Sequence, residues 1–278
     1  MPIACAGCSR AYTWQDGVLI LGESADPDDY PEELHALLAE VEPQHFWFGE
    51  RNRLILSTMR EVLGQLAGRA VLDIGCGTGF VTAALERAGM DTWGLDMNLA
   101  GLRHARVRVR GPLLCEDAAR VPFTGQFDVS MLCDVIEHTP DDGVVLREAV
   151  HALKPGGAVV VTVPAHPFLW STLDDASGHK RRYTRATLAS AMAEAGLRVR
   201  VVRYFNTVLF PVQVLQRLLM RGRPAQTPEA RLAIVRDALR VPPPLQNGIL
   251  RLAMSADLAL SRLPKTAGTS LIAIGARA

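Results

Sequence analysis

From Ala70 onward the sequence switches repeatedly between short apolar runs and longer amphipathic stretches, and this alternation constrains the fold more than any other feature. Ala70–Ile74 reads as a buried strand, Thr78–Ala88 as a helix and Thr92–Leu95 as a second strand followed by a helix through Arg103. Pro112–Cys115 and Phe127–Leu132 are further strands, and Asp141–Leu153 is a helix stopped by Lys154-Pro155-Gly156-Gly157. Ala158–Val163, a helix over Thr184–Ala195 ended by Gly196, a strand over Leu197–Val202 and a last strand over Ser270–Ala276 complete the series. Strands separated by helices make βαβ units, so the expected class is α/β: a doubly wound, mostly parallel sheet with helices on both faces.

Ahead of this unit lies a strand at Gly17–Leu21, an acidic turn at Asp26–Asp29 and a helix opened near Pro31, with Leu34, Leu37, Leu38 and Val41 at helical spacing. The aromatic cluster His45-Phe46-Trp47-Phe48 precedes a second helix over Gly49–Leu66. Residues 206–264 read as inserted helices before the last strand. One apolar stripe there is Val212, Leu215, Leu218 and Leu219, and another is Leu245, Ile249, Leu252, Ala256, Leu260 and Leu263. The expected organisation is an N-terminal extension over 1–30 and a main domain over 31–278, carrying the helical insertion at 206–264.

Composition excludes several function classes. The 278 residues carry a net charge of +1, without the basic balance expected of a nucleic-acid binder. No run of about 18 apolar residues occurs, so no membrane-spanning helix is expected. Met1–Cys5 lacks the charged and apolar regions of a signal peptide, and five cysteines, an odd number, fit a reducing compartment; the expected location is the cytoplasm.

The chemistry concentrates at strand ends. Asp73-Ile74-Gly75-Cys76-Gly77-Thr78-Gly79 is a strand running into a glycine-rich turn and a helix, at the edge where doubly wound sheets bind ligands. The G-x-G-x-G spacing differs from the G-x-G-x-x-G of pyrophosphate binding, and Asp73 suits a ligand ammonium rather than a phosphate. Asp96 ends the second strand, where a carboxylate can accept from two ribose hydroxyls. Glu116-Asp117-Ala118 follows the third, where Asp117 can accept from an adenine amino group.

With these residues the sequence resembles class I S-adenosylmethionine (SAM)-dependent methyltransferases of the small-molecule subgroup. Val71–Phe80, Gly94-Leu95-Asp96 and Glu116-Asp117-Ala118 look like their first three motifs. Asp128 and Asp134-Val135-Ile136-Glu137-His138 look like the region of their fourth strand, and Leu153–Gly157 like the turn before the fifth. The resemblance covers about residues 45–205. It implies a Rossmann-like seven-stranded sheet whose last strand is antiparallel. It also implies SAM as cofactor, with Asp73, Gly75 and Gly77 at its methionine portion, Asp96 at the ribose and Asp117 with Ala118 at the adenine. Cys76, Gly79, Met97 and Asp134 join the same cofactor-binding set. The implied activity is methyl transfer to oxygen, or next to nitrogen, of a small molecule such as a secondary metabolite or a saccharide or lipid intermediate. Two alternatives stay open: non-methylating chemistry on SAM, such as its cyclisation, and a SAM-binding partner subunit.

A hydroxyl acceptor must lose a proton, and histidine suits that task. His138, after the fourth strand, and His179, in the loop after the fifth, are the candidate catalytic residues; no metal is expected. His138 equally suits a cap or a cofactor contact. In the loop, Arg181 and Arg182 can clamp an anion or pair with Asp174 and Asp175. The aromatic cluster at 45–48 can line a sulfonium or pack the N-terminal helix on the sheet. Cys5-x-x-Cys8 resembles half of a zinc ribbon, read as a metal-free remnant or as two ligands shared with a second chain. The inserted helices can pack as core, form a homodimer or partner interface, or rest on a membrane surface, with core packing expected.

Overall fold

The computed structural model describes residues 3–4, 11–22, 32–222, 225, 227–259 and 267–277. Three short strands, β1 (Ile3–Ala4), β2 (Ala11–Gln15) and β3 (Val18–Ile20), precede helices α1 (Glu32–Val41) and α2 (Phe46–Leu63). The alternating region follows as β4 (Ala70–Ile74), α3 (Phe80–Arg87), β5 (Asp91–Asp96), α4 (Leu99–Arg108), β6 (Leu113–Cys115), β7 (Phe127–Cys133), α5 (Asp142–His151) and β8 (Leu153–Pro164). After a 3-10 turn at Pro167–Leu169 come α6 (Thr172–Ala176), α7 (Arg185–Glu194) and β9 (Leu197–Phe205). Three helices, α8 (Phe210–Leu219), α9 (Pro228–Ala238) and α10 (Pro244–Ala259), separate β9 from β10 (Ser270–Arg277).

The strands form one sheet in the order β1-β2-β3-β6-β5-β4-β7-β8-β10-β9. From β6 to β9 it is the anticipated sheet, parallel from β6 through β8, with β10 antiparallel to both β8 and β9. The expectation of seven strands needs correction to ten, because β3 pairs in parallel with β6 and carries β2 and β1 beyond it. Val18 on β3 is fully buried with Cys76, Leu102 and Leu113, so this strand belongs to the core. Cys5 and Cys8 lie outside the described residues, as do Asp26–Asp29, Pro31, Leu260 and Leu263.

Side-chain alternation along the strands divides the core in two. Leu72, Ile74, Leu132, Val159, Val161, Leu271 and Ala273 meet α5 and α7 residues on one face. Val71, Met131, Val160, Ile272 and Ile274 meet Leu54, Ile55, Met59 and Leu85 of α2 and α3 on the other. This is why the strands read as continuous apolar runs: both faces are covered. Because β4 pairs with β5 on one side and β7 on the other, the chain reverses direction across the sheet there, and a crevice opens beyond the carboxyl ends of β4 and β7.

The expectation that the inserted helices bury their stripes fails for α8, which has no buried residue, and for the first turns of α10. Val212, Leu215, Leu218 and Leu219 on α8 are exposed, as are Leu245, Ile249 and Leu252 on α10. Met254 is buried, and α10 is fastened to α2 by Ser255 Oγ donating to Glu50 Oε2 at 3.0 Å and by the Phe46 amide donating to Asn247 Oδ1 at 2.9 Å. Among the described residues no helix is long and apolar enough to cross a membrane.

If β3 is part of the core, Val18→Ala should lower stability by about 2 kcal/mol. Urea unfolding of the full chain checks this; an unchanged midpoint would show the strand to be peripheral.

Candidate active site

The loop after β4 is glycine-rich for three separate reasons. Gly75 has φ +74°, and a Cβ there would sit 2.5 Å from the Val135 side chain. Gly79 has φ +74°, and a Cβ would sit 2.9 Å from the Cβ of Ala105, so this glycine lets α3 lie against α4. Gly77, at φ +51°, would place a Cβ in open space: its bare backbone faces the crevice. Cys76 points away from it, its sulfur packed under Gly94 among core residues, so only its backbone can meet a ligand.

Asp96 closes the loop onto β5. Its Oδ2 accepts from the Gly77 amide and its Oδ1 from the Asn98 amide, each at 2.8 Å. Burial raises its pKa, and these two bonds oppose the rise. Each oxygen keeps a lone pair for a ligand hydroxyl. Met97 beside it is exposed. Asp117 Oδ1 accepts from the Ala119 amide at 2.9 Å, which fixes the turn after β6, and Ala118 packs on the core edge.

Asp73 is almost wholly buried, and its Oδ2 accepts from the Thr82 hydroxyl at 2.6 Å. Burial pushes its pKa up to about 6, against the Thr82 bond and the nearby Arg51. Asp134 follows β7 in the left-handed region, φ +57°. It is held there by an ion pair with Arg51 of α2 and by the Thr162 hydroxyl, 3.2 Å from its Oδ1. Arg51 and Thr82 escaped the sequence reading. Both lie on helices that read simply as amphipathic, and their role appears only when α2 and α3 are laid on the sheet.

His138 and His179 come together from separate segments, ring centroids 4.8 Å apart. Burial, then His179, lowers the pKa of His138 to about 4. His179 Nδ1 lies 2.8 Å from Oδ1 of Asp174. Asp174 is fully buried on α6, in a segment expected to be only a polar loop. Burial alone would raise its pKa, but His179, Arg182 and Arg217 hold it well below the usual carboxylate range. Between the histidines and β7 lies Glu137, fully buried, with neither carboxylate oxygen hydrogen-bonded among the described residues; burial raises its pKa well above the ordinary value.

The arginines are not an anion clamp. Arg181 pairs with Asp142 at 2.8 Å and donates to the Pro140 carbonyl at 2.6 Å. Arg182 is buried, 2.8 Å from Asp174 and 2.9 Å from the Ala165 carbonyl. The aromatic cluster also resolves as packing. His45 caps α2, accepting from the Trp47 amide at 3.2 Å; Trp47 stacks on Phe205; Phe46 and Phe48 are buried.

Residues 72–161 match the family described as methyltransferase domain. Among curated relatives, a ubiquinone biosynthesis O-methyltransferase of Bordetella avium is 32% identical over 141 residues, 48% of this chain and 53% of that protein. The chain spans about half the length of the curated relatives it matches. Among solved structures, the [4+2]-cyclase SpnF superposes with TM-score 0.60 at 18% identity, covering 92% of this chain and 99% of that one. Phosphoethanolamine N-methyltransferase 2 of Haemonchus contortus, in complex with S-adenosyl-L-methionine, gives TM-score 0.54 at 19% identity, covering 80% and 52%. These two likenesses speak for the fold alone.

Asp73 costs the ligand-free fold stability at neutral pH. Its folded pKa lies above its unfolded one, so the penalty is absent below about pH 4, grows as pH rises to about 6 and is full beyond that. Asp73→Asn should therefore raise the unfolding midpoint at pH 8, less at pH 5 and not at pH 3.5, as thermal denaturation can check.

Proposed function

We propose that the chain transfers a methyl group from SAM to a small-molecule acceptor, with oxygen as the acceptor atom. The observation that carries this reading is the open backbone at Gly77 flanked by the carboxylates of Asp73 and Asp96. That donor set fits an adenosyl amino acid: a buried acid for an ammonium, a second for a ribose diol, and a cradle with no side chain between them. The matched family and the O-methyltransferase relatives support the same reading.

When bound, SAM supplies a methyl group already activated on a sulfonium. The protein's residues orient and desolvate. Asp73 holds the α-amino group, with Gly75, Gly79 and the Cys76 backbone shaping the turn. Asp96, beside Met97, receives the ribose hydroxyls, and Asp117 with Ala118 borders the adenine. Asp134, fixed by Arg51, follows β7 four residues before His138. On the acceptor side the pair His138 and His179 receives the acceptor hydroxyl, and Asp174 orients His179.

Two measurements test this. Titration calorimetry should give one site for S-adenosylhomocysteine, and Asp96→Ala should weaken it at least about 100-fold, the worth of two hydrogen bonds to a charged group; undiminished binding would overturn the assignment. Affinity for SAM should also fall as pH drops below about 6, where Asp73 takes up a proton and no longer attracts an ammonium. Asp73→Asn should bind weakly with that pH dependence removed.

A further inference from the structure

We propose that Glu137, His138 and His179 form a binding site for one divalent first-row transition-metal ion. A ligand atom from each lies within 4.8 Å of the others. Metal–ligand bonds of about 2.0–2.2 Å require those atoms to draw in slightly around an ion. Two neutral imidazoles and a carboxylate form a facial set that suits zinc, manganese, iron or cobalt and leaves coordination positions open.

Three independent features point to an ion rather than to chance proximity. Glu137 is fully buried, yet neither of its oxygens has a hydrogen-bond partner among the described residues. A buried carboxylate without partners is strongly disfavoured unless a cation or a proton satisfies it. The two cations closest in effect are committed elsewhere, Arg51 to Asp134 and Arg182 to Asp174 and the Ala165 carbonyl. Second, Nδ1 of His179 is already engaged by Asp174 at 2.8 Å, which leaves its Nε2 for a ligand bond. This is the supporting arrangement that orients metal-binding imidazoles. Third, the loop itself is fastened over Glu137: the Lys180 amide donates to the Glu137 carbonyl at 2.7 Å, which keeps His179 beside His138.

Glu137 and His138 follow Asp134 beyond the end of β7, and an ion held there would itself take the acceptor oxygen that the two imidazoles otherwise receive. Only this role toward the acceptor rests on the methyl-transfer reading; ion binding does not. It would favour acceptors with a hydroxyl beside a second oxygen, which can chelate.

The test is a cobalt(II) titration of the full chain carrying Cys5→Ser and Cys8→Ser, so that no thiolate of that pair reports. A saturable one-to-one visible absorption band, displaced by zinc, is expected. Glu137→Gln and His179→Ala should each weaken binding at least tenfold, and Asp174→Asn about 10–100-fold by disordering His179. Near-ultraviolet dichroism and S-adenosylhomocysteine affinity serve as folding controls. Absence of a saturable band, or a band unchanged in well-folded Glu137→Gln and His179→Ala, overturns the proposal. Failure of cobalt binding with S-adenosylhomocysteine binding intact removes the metal site alone. Failure of S-adenosylhomocysteine binding with the cobalt band intact removes the cofactor assignment alone.

Discussion

The hydrogen bonds that fasten the glycine loop to β5 set the rest of the site. Gly75 and Cys76 amides donate to the Leu95 carbonyl at 2.7 and 3.0 Å, and the Gly77 amide donates to the Asp96 carboxylate. Three successive amides of one strand end are thus spent on the end of the next. The loop can neither lift from the sheet nor refold into an extra helical turn without leaving buried donors unpaired. Helix α3 therefore starts where it does, Gly79 brings it against α4, and the cleft between Asp73 and Asp96 follows.

Around this rigid edge the protein keeps acids in places where burial disfavours their charge. Asp73, Asp96 and Glu137 all have raised pKa values with burial as the largest cause. Each has a different degree of relief. Asp96 has two amides, Asp73 has one hydroxyl and a nearby arginine, and Glu137 has no hydrogen-bond partner among the described residues. Asp174 is the contrast: equally buried, but surrounded by His179, Arg182, Arg217 and Ser171, and so comfortably ionised. Asp174 differs from the other three in its partners.

Most of this edge was legible in the sequence because parallel strands buried on both faces give unbroken apolar runs with punctuation between them. Ala70–Ile74 was expected and found with the same bounds, and the ends of β5, β6 and β7 fell within two residues of expectation. What stayed hidden depends on tertiary contact. Arg51 looked like any helix arginine until α2 was laid against β7, and Asp174 looked like a loop acid until α6 formed. The stripes of α8 and α10 have helical period, which fixes the helix but not which side its apolar face turns to; here much of it turns outward. The strand β2 was missed because Ala11–Gln15 mixes polar and aromatic residues and is stabilised by its neighbours rather than by its own pattern.

The added strands at the β6 side change how the sheet meets its surroundings. Without them, β6 would expose a row of unpaired amides and carbonyls beside a buried apolar surface, a template onto which another chain's strand could grow. β3 covers that row and hands the boundary to β2 and then to β1, which is only two residues long. A boundary this short offers few bonds to intermolecular growth, so trimming the first twenty residues would both open the β6 edge to self-association and uncover the side of the glycine loop that Val18 packs against at Cys76.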